Sequence, residues 1–170
     1  MKKHILYSLI LLLIFLTASC GTTKPGEDEY NKGIEANKED KIELAQQLFK
    51  QAIEKNPKLA EAHINLGQTY IKLHDFEQGW AETLKGLELA TTTKTTIIRG
   101  STWQEQAALA NNNLAKIVFD RAIKACSSGN LAEQQRYKDE ALIYMQQAVE
   151  LAPENETIEK NFKYIQQWPN

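Results

Sequence analysis

The chain has 170 residues, with 20 Lys and Arg against 22 Asp and Glu. Without Lys2 and Lys3, 18 basic residues face those 22 acidic ones, a net charge near −4. That balance argues against nucleic acid as a partner, because phosphate recognition needs a basic footprint. Past the N-terminal apolar run about 150 residues remain, one domain by the usual size, and no basic amphipathic helix offers a further membrane surface.

Met1-Lys2-Lys3 is basic, and Ile5 to Leu16 is an apolar run interrupted only by Tyr7 and Ser8. The run is shorter than the roughly 20 residues of a membrane span and reads as a secretory signal peptide over 1–19. Leu16-Thr17-Ala18-Ser19-Cys20 resembles a bacterial lipobox, with Thr17 where Leu is typical. The resemblance implies cleavage before Cys20 and lipid on its sulfur and new amino group. An uncleaved anchor and an ordinary signal peptide with an incidental cysteine are the alternatives. Two or more acyl chains tether a protein stably. Gly21 is no retention signal of the Asp type, which by the same resemblance implies the outer membrane, facing the periplasm, in a two-membrane host. Residues 20–29 read as a short flexible linker, its acidic run Glu27-Asp28-Glu29 solvated.

The chain then resembles itself at a period of 34. Asn31-Lys32-Gly33 returns as Asn65-Leu66-Gly67, Ala36 falls on Tyr70, and Asp40-Lys41-Ile42 falls on His74-Asp75-Phe76. Such a period marks stacked supersecondary units. The first unit, about 26–59, carries Ala45, Phe49 and Ala52 at helical spacing and ends at Pro57, which lacks an N–H and stops a helix. The second, about 60–93, places Ala62, Leu66, Tyr70 and Leu73 on one stripe, breaks at His74-Asp75, and is helical again from Phe76 to Ala90. Gly79 and Gly86 each cost that helix about 1 kcal/mol relative to Ala. Seven residues apart, they lie on one side, where close backbone contact would offset the cost.

Thr91 to Thr96 with Ile97 and Ile98 has poor helix propensity because β-branched side chains lose χ1 freedom. Residues 91–100 read as a loop, and whether 94–106 is an ordered insert or a mobile loop stays open. Thr102 with Glu105 has capping-box spacing and starts the next helix. The third unit, about 108–155, repeats the pattern with insertions near 94–107 and 119–135. Its helices are predicted at Trp103–Cys126 and Leu131–Leu151, joined by a turn at Ser127–Asn130. Glu140-Ala141, Met145, Ala148 and Pro153 repeat the second-helix pattern. Residues 156–168 read as a capping helix that hides the last apolar edge.

Leu66-Gly67 with Tyr70, then Ala45, Phe49, Ala52 and Pro57, resemble the tetratricopeptide repeat, and the resemblance covers roughly 26–168. It departs at Gly79, Thr83, Gly86 and Thr91, where the family favours Ala, an aromatic, Ala and Pro. The implied fold is all-α: an antiparallel helix-hairpin solenoid of about three repeats plus a capping helix, over 30–168. In that family the first helices line a concave groove. The groove would then hold Tyr30, Asn31, Ile34 and Lys38, then Ile64, Asn65, Gln68 and Lys72, then Asn112, Asn113, Lys116 and Asp120. Such a mixture suits an acidic extended or helical peptide, or is an ordinary solvated face. Asn31, Asn65, Asn113 and Asn161 are equivalent, either to bond a peptide backbone or because the consensus tolerates Asn. Tyr30, Ile34, Leu109 and Asn113 stand where most of the family's carboxylate clamp would be. Only Asn65 matches, so clamp-type tail binding is not expected.

No catalytic constellation is found. His63 and His74 have no metal-binding spacing, and His63 reads as a packing histidine. There is no phosphate loop or nucleophile elbow, so no enzyme activity, cofactor or metal is expected. Cys126 reads as a small buried residue, with a reactive or intermolecular thiol as the alternative. The implied role is a lipid-anchored adaptor for an envelope protein or peptide, similar to pilotin or assembly-factor lipoproteins. The alternatives are a structural subunit that self-associates through Trp103 and Trp168, and an accessory that recruits a peptidoglycan hydrolase.

Overall fold

A computed structural model of the protein describes residues 24–98 and 100–169. The leader at 1–19, Cys20 and the first part of the linker lie outside the described residues. Among these residues there are seven helices and no strand: α1 Glu27–Lys38, α2 Ile42–Lys55, α3 Ala60–Lys72, α4 Phe76–Thr93, α5 Trp103–Ser127, α6 Leu131–Leu151 and α7 Glu156–Gln167. Each helix packs on the next in chain order. In addition α3 meets α5 and α5 meets α7, so these first helices touch directly.

The three hairpins share one turn. Lys41, Asp75 and Asn130 donate their N–H groups to the carbonyls of Ala36, Tyr70 and Ala125, each at 2.9 Å. The residue before each donor is left-handed: Asp40 at φ 58°, His74 at φ 60° and Gly129 at φ 75°. This is the Schellman arrangement, which satisfies the last carbonyls of the preceding helix. Glycine occupies it without strain, whereas His does so at a cost of roughly 1 kcal/mol. His74→Gly is therefore expected to stabilise the protein by about 1 kcal/mol, a rise in melting temperature of about 2–4 °C. A lower melting temperature would show that the exposed imidazole makes a compensating contact, for which the edge-on Phe76 ring at 5.9 Å is the candidate.

The apolar core forms two large clusters and a small third one of Ala60, Leu89 and Ala90. Ala45, Phe49 and Ala52 are fully buried with Tyr30, Leu59, Ala62 and Leu66. Ala141, Met145 and Ala148 are equally buried with Val118, Phe119, Ile158 and Ile165. Gly79 and Gly86 face the backbone of α3, as the helical-face argument requires: a Cβ on Gly79 would lie 3.3 Å from the Gly67 carbonyl, and one on Gly86 2.9 Å from the Ile64 nitrogen. The Thr102–Glu105 capping box is complete, and α6 keeps its predicted ends.

Four expectations are corrected. Helix α1 begins at Glu27, so the acidic run is its first turn, where carboxylates favour the helix dipole. Glu29 there pairs with Lys55 at 2.7 Å. Gly26 fixes that start, at φ 84° and close enough to the Ala52 carbonyl that a Cβ would sit 2.5 Å away. Thr91 to Thr93 belong to α4, since each hydroxyl donates to a carbonyl three or four residues back and so extends the helix. Leu73 is 38% exposed and leaves the apolar stripe. Cys126 is exposed, because Ala125 takes the inward position and the next residue lies about 100° further round the helix.

Candidate functional site: the face lined by first helices

Successive first helices are knitted by side-chain amides. Asn65 donates to the Tyr30 hydroxyl on α1 at 3.4 Å and to its own Glu61 carbonyl at 2.8 Å. Asn113 on α5 donates to the Ile64 carbonyl on α3 at 3.3 Å, and Asn161 on α7 donates to Asn112 Oδ1 at 2.8 Å. Three of the four equivalent asparagines thus bridge units. The shared spacing follows from the repeat, since every unit must bury its edge against the next. Asn31, in the first unit, is exposed and bridges no other unit among the described residues.

The twelve residues predicted to line the groove separate accordingly. Tyr30 and Ile64 are 3% and 2% exposed, and Asn112 and Asn113 are 4% and 3% exposed, so these four side chains are spent on packing. Asn65 and Gln68 are half-buried, as is Ile34. Lys38 is exposed and pairs with Glu35 at 2.8 Å, and Asp120 pairs with Lys124 at 2.6 Å. Lys72 on α3 reaches Asn37 on α1 at 2.8 Å.

Lys116 on α5 is the outlier. It is half-buried, and among the described residues it has no ion pair. Burial holds its ammonium below the usual lysine range, and the positive charge of Lys72 pushes it the same way. Two cations on neighbouring first helices, held by a neutral amide and by nothing, form an uncompensated positive pair. A lysine depressed in the folded state binds fewer protons folded than unfolded. Stability therefore rises as pH climbs through that depressed value toward the ordinary lysine range. Lys116→Met removes the desolvation cost, and we expect a gain of about 1 kcal/mol in the free protein. Thermal denaturation checks this; an unchanged or lower midpoint would mean that the ammonium is adequately solvated.

At the other end of α3 lies a feature the sequence did not disclose. Glu61 is 2% exposed. Its carboxylate accepts from the Thr96 hydroxyl and, at 2.7 Å, from the Ile97 N–H. Ile97 and Ile98 pack with the Tyr30, Phe49 and Leu66 cluster. Residues 94–98, after α4, are thus an ordered strap across the first two units. Burial pushes the Tyr30 phenol well above its usual range, the Glu61 charge adds to the shift, and the Asn65 hydrogen bond opposes it. The phenol therefore stays protonated. The apolar pair Ile97-Ile98 in a polar loop was the one signal in the sequence; Glu61 gave none, since a long-range partner leaves no local pattern.

His63, 8% exposed, faces Glu82 Oε2 from Nδ1 at 2.7 Å and the Pro57 carbonyl from Nε2 at 3.2 Å. It ties α3 to α4 and to the preceding loop, a packing role. Trp168 stacks edge-on against Phe119 at 5.2 Å inside its own domain, and Trp103 is half-buried beneath Lys94 at 5.4 Å.

Two segments match models of the tetratricopeptide repeat, residues 48–81 and 125–155. The first window spans the end of α2, all of α3 and the start of α4; the second covers the third hairpin's turn and α6. A search of curated proteins found no match. The chain carries tetratricopeptide repeats, and its architecture is their all-α helical solenoid. Repeats of this kind are scaffolds for protein–protein docking.

Proposed function

We propose that the protein is a non-catalytic, lipid-anchored docking adaptor of the bacterial cell envelope, tethered through Cys20 and presenting its first-helix face to an acidic segment of an envelope protein. The observation that carries the reading is the Lys72–Lys116 pair. Lys116 is half-buried and has no ion pair among the described residues, and a partner carboxylate placed between the two lysines relieves both desolvation and mutual repulsion. The basic start, apolar run and Cys20 supply the tether, and the outer membrane of a two-membrane host is the address they favour. An assembly or localisation role, as for a pilotin, follows from holding a partner at one bilayer.

The test is a crosslinked pull-down from native membranes, comparing wild type with Lys72→Glu/Lys116→Met. The expected result is a specific protein retained by wild type and reduced at least about tenfold by the variant, with loss of the tether, but not of folding, in Cys20→Ala. Equal recovery by a folded variant would remove the lysine pair from the docking surface.

A second reading has its own observation. Leu44 is 45% exposed, and with Ile34 and Leu48 it borders an open apolar cavity of about 690 Å³ at the first-unit end of the solenoid. A repeat edge that is open among the described residues favours a structural subunit that stacks end to end. A dimer that persists on dilution and dissociates in Leu44→Lys would support that reading over the adaptor.

A further inference from the structure

The strap across the first two units has the form of a bound peptide. It leaves α4 at Lys94, φ 50°, and returns at Gly100, φ 81°. Between them Thr96 and Ile97 hold Glu61, the Thr96 hydroxyl also accepts from the Ile98 N–H at 3.0 Å, and the two isoleucines stay only half-buried. Beside them an open cavity of about 630 Å³ runs along α1, walled by Tyr30, Asn31 and Ile34 on one side and Ile97 and Ile98 on the other.

Three points single this out. A carboxylate that is 2% exposed is costly to bury without donors. Yet among the described residues Glu61 takes its side-chain hydrogen bonds from the strap alone, with none from the helices of its own repeat. The donors are ones that any extended chain with a Ser or Thr supplies: a hydroxyl and the following backbone N–H. The strap is short, partly exposed and flanked by two left-handed residues, the kind of segment that opens locally well before the fold does.

We propose that Glu61, Tyr30 and Ile34 form an extended-peptide site whose resident occupant is the strap, and that a partner segment with Ser or Thr followed by two β-branched apolar residues takes its place. The inference rests on reading the first-helix face as the docking face, and it adds a second determinant, a carboxylate acceptor for an uncharged segment, to the lysine pair. The tethered strap competes at high effective concentration, so it sets a threshold that only a well-matched or doubly anchored partner passes.

The test needs no identified partner. A labelled peptide of residues 93–100 is titrated into the full chain, wild type and Thr96→Gly/Ile97→Ser/Ile98→Gly, by fluorescence anisotropy. The strap variant is expected to bind it saturably, and wild type at least about tenfold more weakly, because its own strap competes. Adding Glu61→Gln to the strap variant is expected to weaken binding at least about fivefold. No binding to a folded strap variant, or equal binding by wild type or by the Glu61→Gln form, overturns the proposal. Should the strap variant fail to fold, native-state hydrogen exchange of wild type decides. The Ile97 amide is expected to exchange at least about a hundredfold faster than the Leu66 amide, and equal protection overturns the proposal. Neither result bears on the lysine pair, which the membrane pull-down tests separately.

Discussion

Phe49→Ala is expected to destabilise the protein by about 3–5 kcal/mol. The ring is 0% exposed and lies directly over Gly33, where a Cβ would come within 2.6 Å of it. The Tyr30 ring packs at 5.8 Å. Glycine on α1 and a full aromatic on α2 fill one space jointly, so truncation opens a cavity that neither helix can close by itself. In a chain of nearest-neighbour contacts the first unit has one neighbouring unit among the described residues. The loss therefore falls on α1 and α2, and unfolding should split into two transitions, with α5 to α7 melting last. Denaturant titration followed by circular dichroism, with hydrogen exchange to locate the first phase, checks both parts. A single transition shifted by less than about 1 kcal/mol would show that the first unit does not depend on this ring.

Gly86→Ala carries the second largest effect, and its sign is the informative part. Helix propensity alone predicts a gain of about 1 kcal/mol. A Cβ at this position would instead lie 2.5 Å from Ile64 Cγ1, 2.9 Å from the Ile64 nitrogen and 3.1 Å from the Ala60 carbonyl. Two of these three atoms are backbone, so α4 must move away from α3, and overpacking of this kind costs about 1–3 kcal/mol. The expected outcome is a net loss of about 2 kcal/mol, together with loosening of the Ile64 carbonyl that Asn113 uses to join the third unit. Stabilisation by Gly86→Ala would contradict the close α3–α4 approach.

What the sequence disclosed was local. Beyond the 34-residue period, which is a self-comparison between units, the Ala45-Phe49-Ala52 stripe and the Asn130 and Pro153 limits of α6 are patterns within one or two turns, where composition and geometry are tightly coupled. The turn at Asp40 and His74 was legible as a break but not as a left-handed cap, because neither residue advertises that conformation as Gly129 does. Thr91 to Thr93 were misassigned because propensity is a weak prior that tertiary context overrides; in the fold their hydroxyls bond to carbonyls three or four residues back along α4. The asparagines were correctly aligned, but spacing cannot say whether an amide meets a peptide or the next helix. In Asn65, Asn113 and Asn161 it meets a neighbouring unit. The strap's contact with Glu61 lay beyond reach, since Glu61 and Ile97 are 36 residues apart and only the fold brings them together.

The docking face is tested most directly by site-specific photocrosslinking in native membranes. A photoreactive residue is placed at Gln68, on first helix α3 beside the lysine pair, and separately at Lys85, exposed on second helix α4. A partner adduct from Gln68 that disappears with Lys72→Glu, and none from Lys85, is the predicted result. An adduct from Lys85 with none from Gln68 would contradict the account and move docking to the second-helix side.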